Sequence, residues 1–168
     1  ETLVLVEDFV PERIDFDLSL PETLAAGQTA SLGIDARYLF GAPGADLPVE
    51  GGVRLRATRA LEAWPGYRFG AHDAGSGSIG DSLRAEVRTG AVGRLQVPLT
   101  LPTLDTHRAL ETVVTVRIAE GSARPVERSI SKAVAPSAPI IGIKPSFDDV
   151  AAEGSDAGFQ VVALGPDM

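Results

Sequence analysis

Apolar and polar residues alternate along much of this chain. In residues 13–20, Ile14, Phe16, Leu18 and Leu20 fall on one side, while Arg13, Asp15, Asp17 and Ser19 fall on the other. A period of two is the mark of a half-buried strand, and Pro21 ends it by removing a backbone donor. Residues 29–58 repeat the pattern twice. Ala30, Leu32, Ile34, Ala36, Tyr38 and Phe40 share one side against Ser31, Gly33, Asp35 and Arg37. Gly41-Ala42-Pro43-Gly44 stops that run, and Val53, Leu55 and Ala57 resume it against Arg54, Arg56 and Thr58. Two strands around a Gly/Pro connection are predicted, and the rest of the chain is organised around them.

Further strands follow from the same rule. Residues 3–6 read as a short first strand or an incoming linker, and residues 67–70 as a short strand. Residues 72–81 are rich in Gly and Ser, which predicts a loop and the most mobile part of the chain. Residues 83–88 and 95–101 read as strands, the second with Leu95, Val97, Leu99 and Leu101 inward. Pro98 within it points to an edge strand or a bulge rather than a sheet centre. Residues 112–119 and 126–134 flank the turn at Glu120-Gly121-Ser122-Ala123 and predict a hairpin. No stretch of the first 134 residues has a helical period. Short strands separated by Gly/Pro turns indicate an all-β, immunoglobulin-like or fibronectin-like antiparallel sandwich.

Ala135-Pro136-Ser137-Ala138-Pro139 is the expected boundary, because Pro136 and Pro139 stiffen a linker that cannot enter a sheet interior. Residues 140–144 and 159–164 then read as two more strands, and two strands cannot make a core of their own. The expected division is therefore 1–135 and 136–168.

Composition narrows the function classes. At 168 residues the chain has room for one core, or one and part of a second. Its net charge of -8 disfavours a phosphate-backbone partner, since nucleic-acid affinity rests on cations neutralising phosphates. Cysteine is absent, which excludes disulfides, thiolate metal sites and thiol nucleophiles. No apolar run approaches the roughly 18 residues of a membrane helix. The chain starts at Glu1 with no initiating methionine and no signal pattern, so an interior piece of a longer chain is expected.

Candidate chemistry is weak throughout. Gly75-Ser76-Gly77-Ser78-Ile79-Gly80 matches the G-x-G-x-x-G spelling, but alternation rather than a helix follows it, favouring a loop over a cofactor site. His72-Asp73 near Ser76 and Ser78 lacks the rigid elbow and oxyanion donors of a hydrolase. His107 is the only other histidine, which rules out a His-rich metal site. Asp15 and Asp17 share one strand face, and a solvated surface explains them as well as ligation does. Asp148, Asp149, Glu153 and Asp156 match no EF-hand spacing. Trp64, Tyr67 and Phe69 form either an exposed aromatic platform or core and interface packing, the latter preferred in so aromatic-poor a chain. No catalytic, metal or cofactor residue emerges.

Tyr38-Leu39-Phe40-Gly41-Ala42-Pro43, a short loop and then Val49-Glu50 resemble a strand and turn of the macroglobulin-like domains in bacterial α2-macroglobulins. Val6-Glu7-Asp8-Phe9-Val10-Pro11-Glu12-Arg13 resembles the opening of the same domain, and residues 140–167 resemble the start of the next. The resemblance implies that 1–135 is a complete domain and 136–168 an incomplete one, ordered only by pairing with the first domain or with another molecule. It also implies a non-catalytic scaffold from a periplasmic, lipid-anchored parent that inhibits proteases by entrapment. A protease cuts a bait segment, the domains rearrange, and some members also capture the attacker through a thioester. The Cys-x-x-Gln thioester motif cannot lie here. Implied partners are neighbouring macroglobulin-like domains of the same chain, proteases through the parent, and a second copy through residues 140–164. Cofactors and nucleic acid are not expected. The alternative from another class is a surface-displayed sandwich that binds carbohydrate or a host protein.

Overall fold

The computed structural model describes residues 13–22, 24–70, 77–83, 87–103, 108–121 and 123–165. The strand reading at 3–6, the 6–13 resemblance apart from Arg13, both histidines and residues 72–76 of the 72–81 loop reading lie outside these residues. Among the described residues every regular element is a strand: β1 (Ile14–Ser19), β2 (Thr29–Tyr38), β3 (Pro48–Thr58), β4 (Arg68–Phe69), β5 (Ser78–Ser82), β6 (Val87–Arg88), β7 (Arg94–Thr100), β8 (Ala109–Ile118), β9 (Val126–Val134), β10 (Ile140–Pro145) and β11 (Phe159–Leu164). All ladders between them are antiparallel.

Three strands form one sheet in the order β1-β2-β7, and a second sheet runs β5-β3-β8-β9 with β6 also on β3. The two close face to face over one core. Ile14, Phe16, Leu32, Ile34, Ala36, Val97 and Leu99 enter it from the first sheet; Val49, Val53, Leu55, Val114, Val116 and Ile118 enter from the second. These are the inward positions the alternation predicts, and their burial removes apolar surface from water as the main stabilising term. Outward positions on the first sheet are charged and paired: Arg37 bridges Asp15 at 3.2 Å and Asp17 at 2.6 Å. The molecule is an immunoglobulin-like antiparallel sandwich. Pro98 lies on β7, an edge strand of its sheet, where its missing N–H costs no ladder bond.

β2 and β3 are the two strands expected around the Gly/Pro connection, and that connection crosses between the layers: β2 pairs with β1 and β7, β3 with β5, β6 and β8. Two expectations need correction. Phe40 does not join the inward row, because β2 ends at Tyr38 and the chain turns at once. Residues 78–82 are a strand rather than loop, because their backbone pairs with residues 52–56 of β3. Gly80 permits that approach: a Cβ there would stand 3.1 Å from the Val53 carbonyl oxygen.

β10 and β11 form a third small sheet with β4, in the order β11-β10-β4. The hairpin is attached to the sandwich through Gly142↔Phe69 and Ile143↔Arg68.

Candidate functional site

The chain offers two contact regions, one at each end of the sandwich. At the first, β2 finishes and reverses through Leu39, Phe40 and Gly41. The Gly41 N–H donates to the Tyr38 carbonyl at 2.8 Å, and the Tyr38 N–H donates to the Ala42 carbonyl at 2.8 Å. Gly41 has φ of 94°, while neither Leu39 nor Phe40 has positive φ. This is a type I turn followed by a left-handed glycine bulge, a standard hairpin solution. Pro43 then pairs with Arg37 in an isolated bridge. The turn leaves Leu39 64% and Phe40 79% exposed. The Phe40 ring stacks on Tyr38 with centroids 5.1 Å apart. The Tyr38 hydroxyl donates to Glu120 Oε1 at 3.0 Å, across to the β8–β9 turn, and that hydrogen bond raises the Tyr38 pKa above its usual value.

The connection beyond Pro43 is tied down by Thr89. Its buried hydroxyl donates to the Gly44 carbonyl at 2.6 Å and accepts the Leu47 N–H at 2.8 Å. Asp46, at φ of 55°, takes hydrogen bonds from Arg88, which hold its carboxyl below the ordinary value. Of the remaining motif residues, Val49 is buried in the core, whereas Glu50 lies exposed on the outer face of β3. The motif therefore divides between a turn and a strand in the opposite sheet.

At the other end, the chain after β3 supplies an aromatic ladder. Trp64 meets Tyr67 edge-on at 5.7 Å, and Tyr67 stacks near Phe69 at 6.4 Å. Phe69 is fully buried among Leu61, Ala109, Ile140 and Leu164. The β10–β11 hairpin lies over this ladder: Tyr67 donates to Gln160 Oε1 at 3.1 Å, and the Lys144 ammonium sits 5.8 Å from the Tyr67 ring centroid. Gly142 opposes Phe69, and a Cβ at Gly142 would come within 2.4 Å of the ring. The aromatic trio thus packs under the hairpin instead of forming an open platform. The Pro136–Pro139 stretch is also more constrained than a free linker. Ala135 bridges to Ala25, its N–H donates to the Leu24 carbonyl at 2.7 Å, and Pro136 is buried; only residues 137–139 are exposed.

The hairpin's inner face carries Ile140, Gly142, Lys144, Gln160, Val162 and Leu164. Its outer face carries Ile141, Ile143, Pro145, Phe159, Val161 and Ala163, all apolar and all exposed. Charge alternation is absent from both strands.

Chemically competent arrangements are lacking among the described residues. No group of three or more His, Asp or Glu side chains is placed to hold a metal. A wide recess of about 1030 Å³ lies open on the outer face of β3, β5 and β8. Its Arg56 and Arg117 are paired with Glu111 at 2.6 Å and Glu127 at 2.5 Å. Asp148, Asp149, Glu153 and Asp156 are exposed along the β10–β11 connection.

Sequence reasoning missed Glu120, Thr89 and the Phe69–Gly142 pair. A glycine inside the apolar run Ile140-Ile141-Gly142-Ile143 is a signal of close approach by another group, and it names one of the three. Nothing local identifies Glu120 or Thr89, whose partners are 82 and 42–45 residues away.

A family model described as the bacterial alpha-2-macroglobulin MG5 domain matches residues 12–136. The chain belongs to the bacterial alpha-2-macroglobulin family. An alpha-2-macroglobulin of Xylella fastidiosa strain Temecula1 is 33% identical over 178 positions, covering 98% of this chain. This member of the bacterial alpha-2-macroglobulin family spans 10% of the length of that relative. Two solved Escherichia coli alpha-2-macroglobulins are also similar. The native conformation superposes with a TM-score of 0.70 at 27% identity, over 96% of this chain and 11% of that one. The trypsin-activated protein superposes with a TM-score of 0.69 at 28% identity, over 96% and 12%.

Proposed function

We propose that the chain is a non-catalytic structural module of a protease-trapping alpha-2-macroglobulin, passing on domain rearrangement after a bait segment is cut elsewhere in the parent. The observation that carries this reading is its equal likeness to the native and the trypsin-activated Escherichia coli proteins, with TM-scores of 0.70 and 0.69. A module that keeps its fold in both states moves as a body, and the rearrangement is taken up between bodies. The internally paired surface charges and the filled core support a mechanical rather than a chemical role.

The module occupies 1–135, and residues 136–168 open the following macroglobulin-like domain. Two features support that division: the family match stops at residue 136, and the β10–β11 hairpin, already packed on the aromatic ladder by one face, is wholly apolar on the other. Strands packed on one face and apolar on the other belong inside a layered core. In this reading the outer face of Ile141, Ile143, Phe159 and Val161 is covered by chain that follows. On the 168-residue chain alone it is covered by a second copy, and sedimentation of this chain against a longer one checks both statements. The parent resides in the periplasm on a lipid anchor, which cell fractionation and acyl labelling test.

The experiment for the main reading uses the full-length parent with trypsin. Hydrogen exchange in β1–β3 and β7–β9 is expected to stay constant while the parent changes shape and trypsin is sequestered. Unfolding of these strands on cleavage would refute it. So would stoichiometric inhibition of trypsin by the 168-residue chain alone.

A further inference from the structure

We infer that Leu39 and Phe40 form an anchor that seats in an apolar recess on another domain of the same parent chain. The positions they occupy are the two central residues of a hairpin turn, where polar residues, Gly and Pro have the conformational advantage. The turn does not need their side chains. Its geometry is held by backbone bonds between Tyr38 and Gly41, Tyr38 and Ala42, and from the Leu39 N–H to the Arg13 carbonyl at 2.9 Å. The space beside Gly41 is empty to 4 Å. Among the described residues, therefore, nothing accounts for two large apolar side chains at 64% and 79% exposure.

They are nonetheless pre-set for contact. Phe40 is held against Tyr38 at an interplanar angle of 18°, and Tyr38 is itself fixed by Glu120. A ring already held in place loses little rotamer freedom on docking, which is the property of an interface anchor. Val92, 65% exposed on the turn before β7, lies toward the same end by the antiparallel register of β2 and β7.

Size decides the kind of partner. An aromatic side chain buries about 150–250 Å², so this patch contributes a few hundred Å² at most. Stable association of free proteins buries about 1,200–2,000 Å². The patch is too small to hold a second copy or a diffusing protein. A tethered partner, at an effective concentration of roughly millimolar, needs no more. This argument rests on the reading that the chain is one module of a longer parent.

The test uses full-length parent with p-benzoylphenylalanine in place of Phe40. Irradiation is expected to give an intramolecular cross-link to a segment outside residues 1–168, in a yield unchanged by about tenfold dilution. In a Leu39→Ser, Phe40→Ser parent, amides of that segment are expected to exchange about thirtyfold faster, as for loss of one interface hot spot. A cross-link to a second copy or to another protein, no cross-link at all, or unchanged exchange overturns the inference. If the parent still sequesters trypsin while the cross-link is missing, the anchor fails and the module reading stands. If the unmodified parent does not sequester trypsin, it is the module reading that fails.

Discussion

Replacing Gly142 by alanine probes how the β10–β11 hairpin is held. The added Cβ would stand 2.4 Å from Phe69 Cε1 and 2.9 Å from Cδ1 and Cζ. The ring has nowhere to go, being fully buried among Leu61, Ala109, Ile140 and Leu164. Overpacking of this kind costs about 1–3 kcal/mol. The cost falls on docking rather than on the sandwich, because the ladder joining the two is only Gly142↔Phe69 and Ile143↔Arg68. An undocked two-stranded hairpin is marginal in water, so its amides exchange once it lifts. A loss of about 1–3 kcal/mol corresponds to about 5- to 150-fold less protection. Native-state hydrogen exchange on peptides covering 140–145 and 159–164 should report that fall, while peptides from β8 and β9 keep their protection. Adding Phe69→Leu should recover part of it by making room. Unchanged hairpin protection in the alanine variant, or an equal loss in β8, would refute the packing argument.

Thr89→Val keeps the side chain's shape but strands the Gly44 carbonyl and the Leu47 N–H; a loss of about 1–3 kcal/mol is expected, read as a lower denaturant midpoint at unchanged slope. Gly41→Ala should cost about 1–2 kcal/mol from its left-handed backbone alone. Gly93→Ala should lower the melting temperature further, since its Cβ would also lie 2.1 Å from the Ala36 carbonyl oxygen. The depressed Asp46 carboxyl contributes stability that is complete above its ordinary value of 3.8 and fades as pH falls through the lower folded value. Asp46→Asn, which tolerates the same backbone angle, should remove that part of the acid-side decline in chemical-denaturation curves taken at stepped pH.

Most of the sandwich was legible because burial on one face of a strand writes a period of two into the chain. Ile14 to Leu18 and Leu95 to Leu101 show it directly, and Pro98 even marks the sheet edge. What alternation cannot state is which strands share a sheet. β2 and β3 carry matching patterns yet lie in opposite layers, because the pattern records a shared core and not a shared ladder. Phe40 was misplaced for a related reason: a period continues on paper past the point where Gly41 lets the backbone reverse. β5 was hidden because all five of its residues are exposed, so pairing with β3 left no apolar trace. The turn and the aromatic ladder were legible as residues, but their roles depend on Glu120 and Gly142, which lie 82 and 73 positions beyond Tyr38 and Phe69.

β2 and β8, ten residues each, run from the Tyr38–Glu120 end toward the end where β10 leaves. At about 3.3 Å per residue they reach roughly 30 Å. A pull applied between the Leu39–Phe40 tip and the hairpin therefore acts along the strands and across their perpendicular ladder bonds. Loaded that way the rungs share the strain and must give together, unlike a zip opened from one tooth. Tension and compression can travel the length of this piece without being absorbed in it.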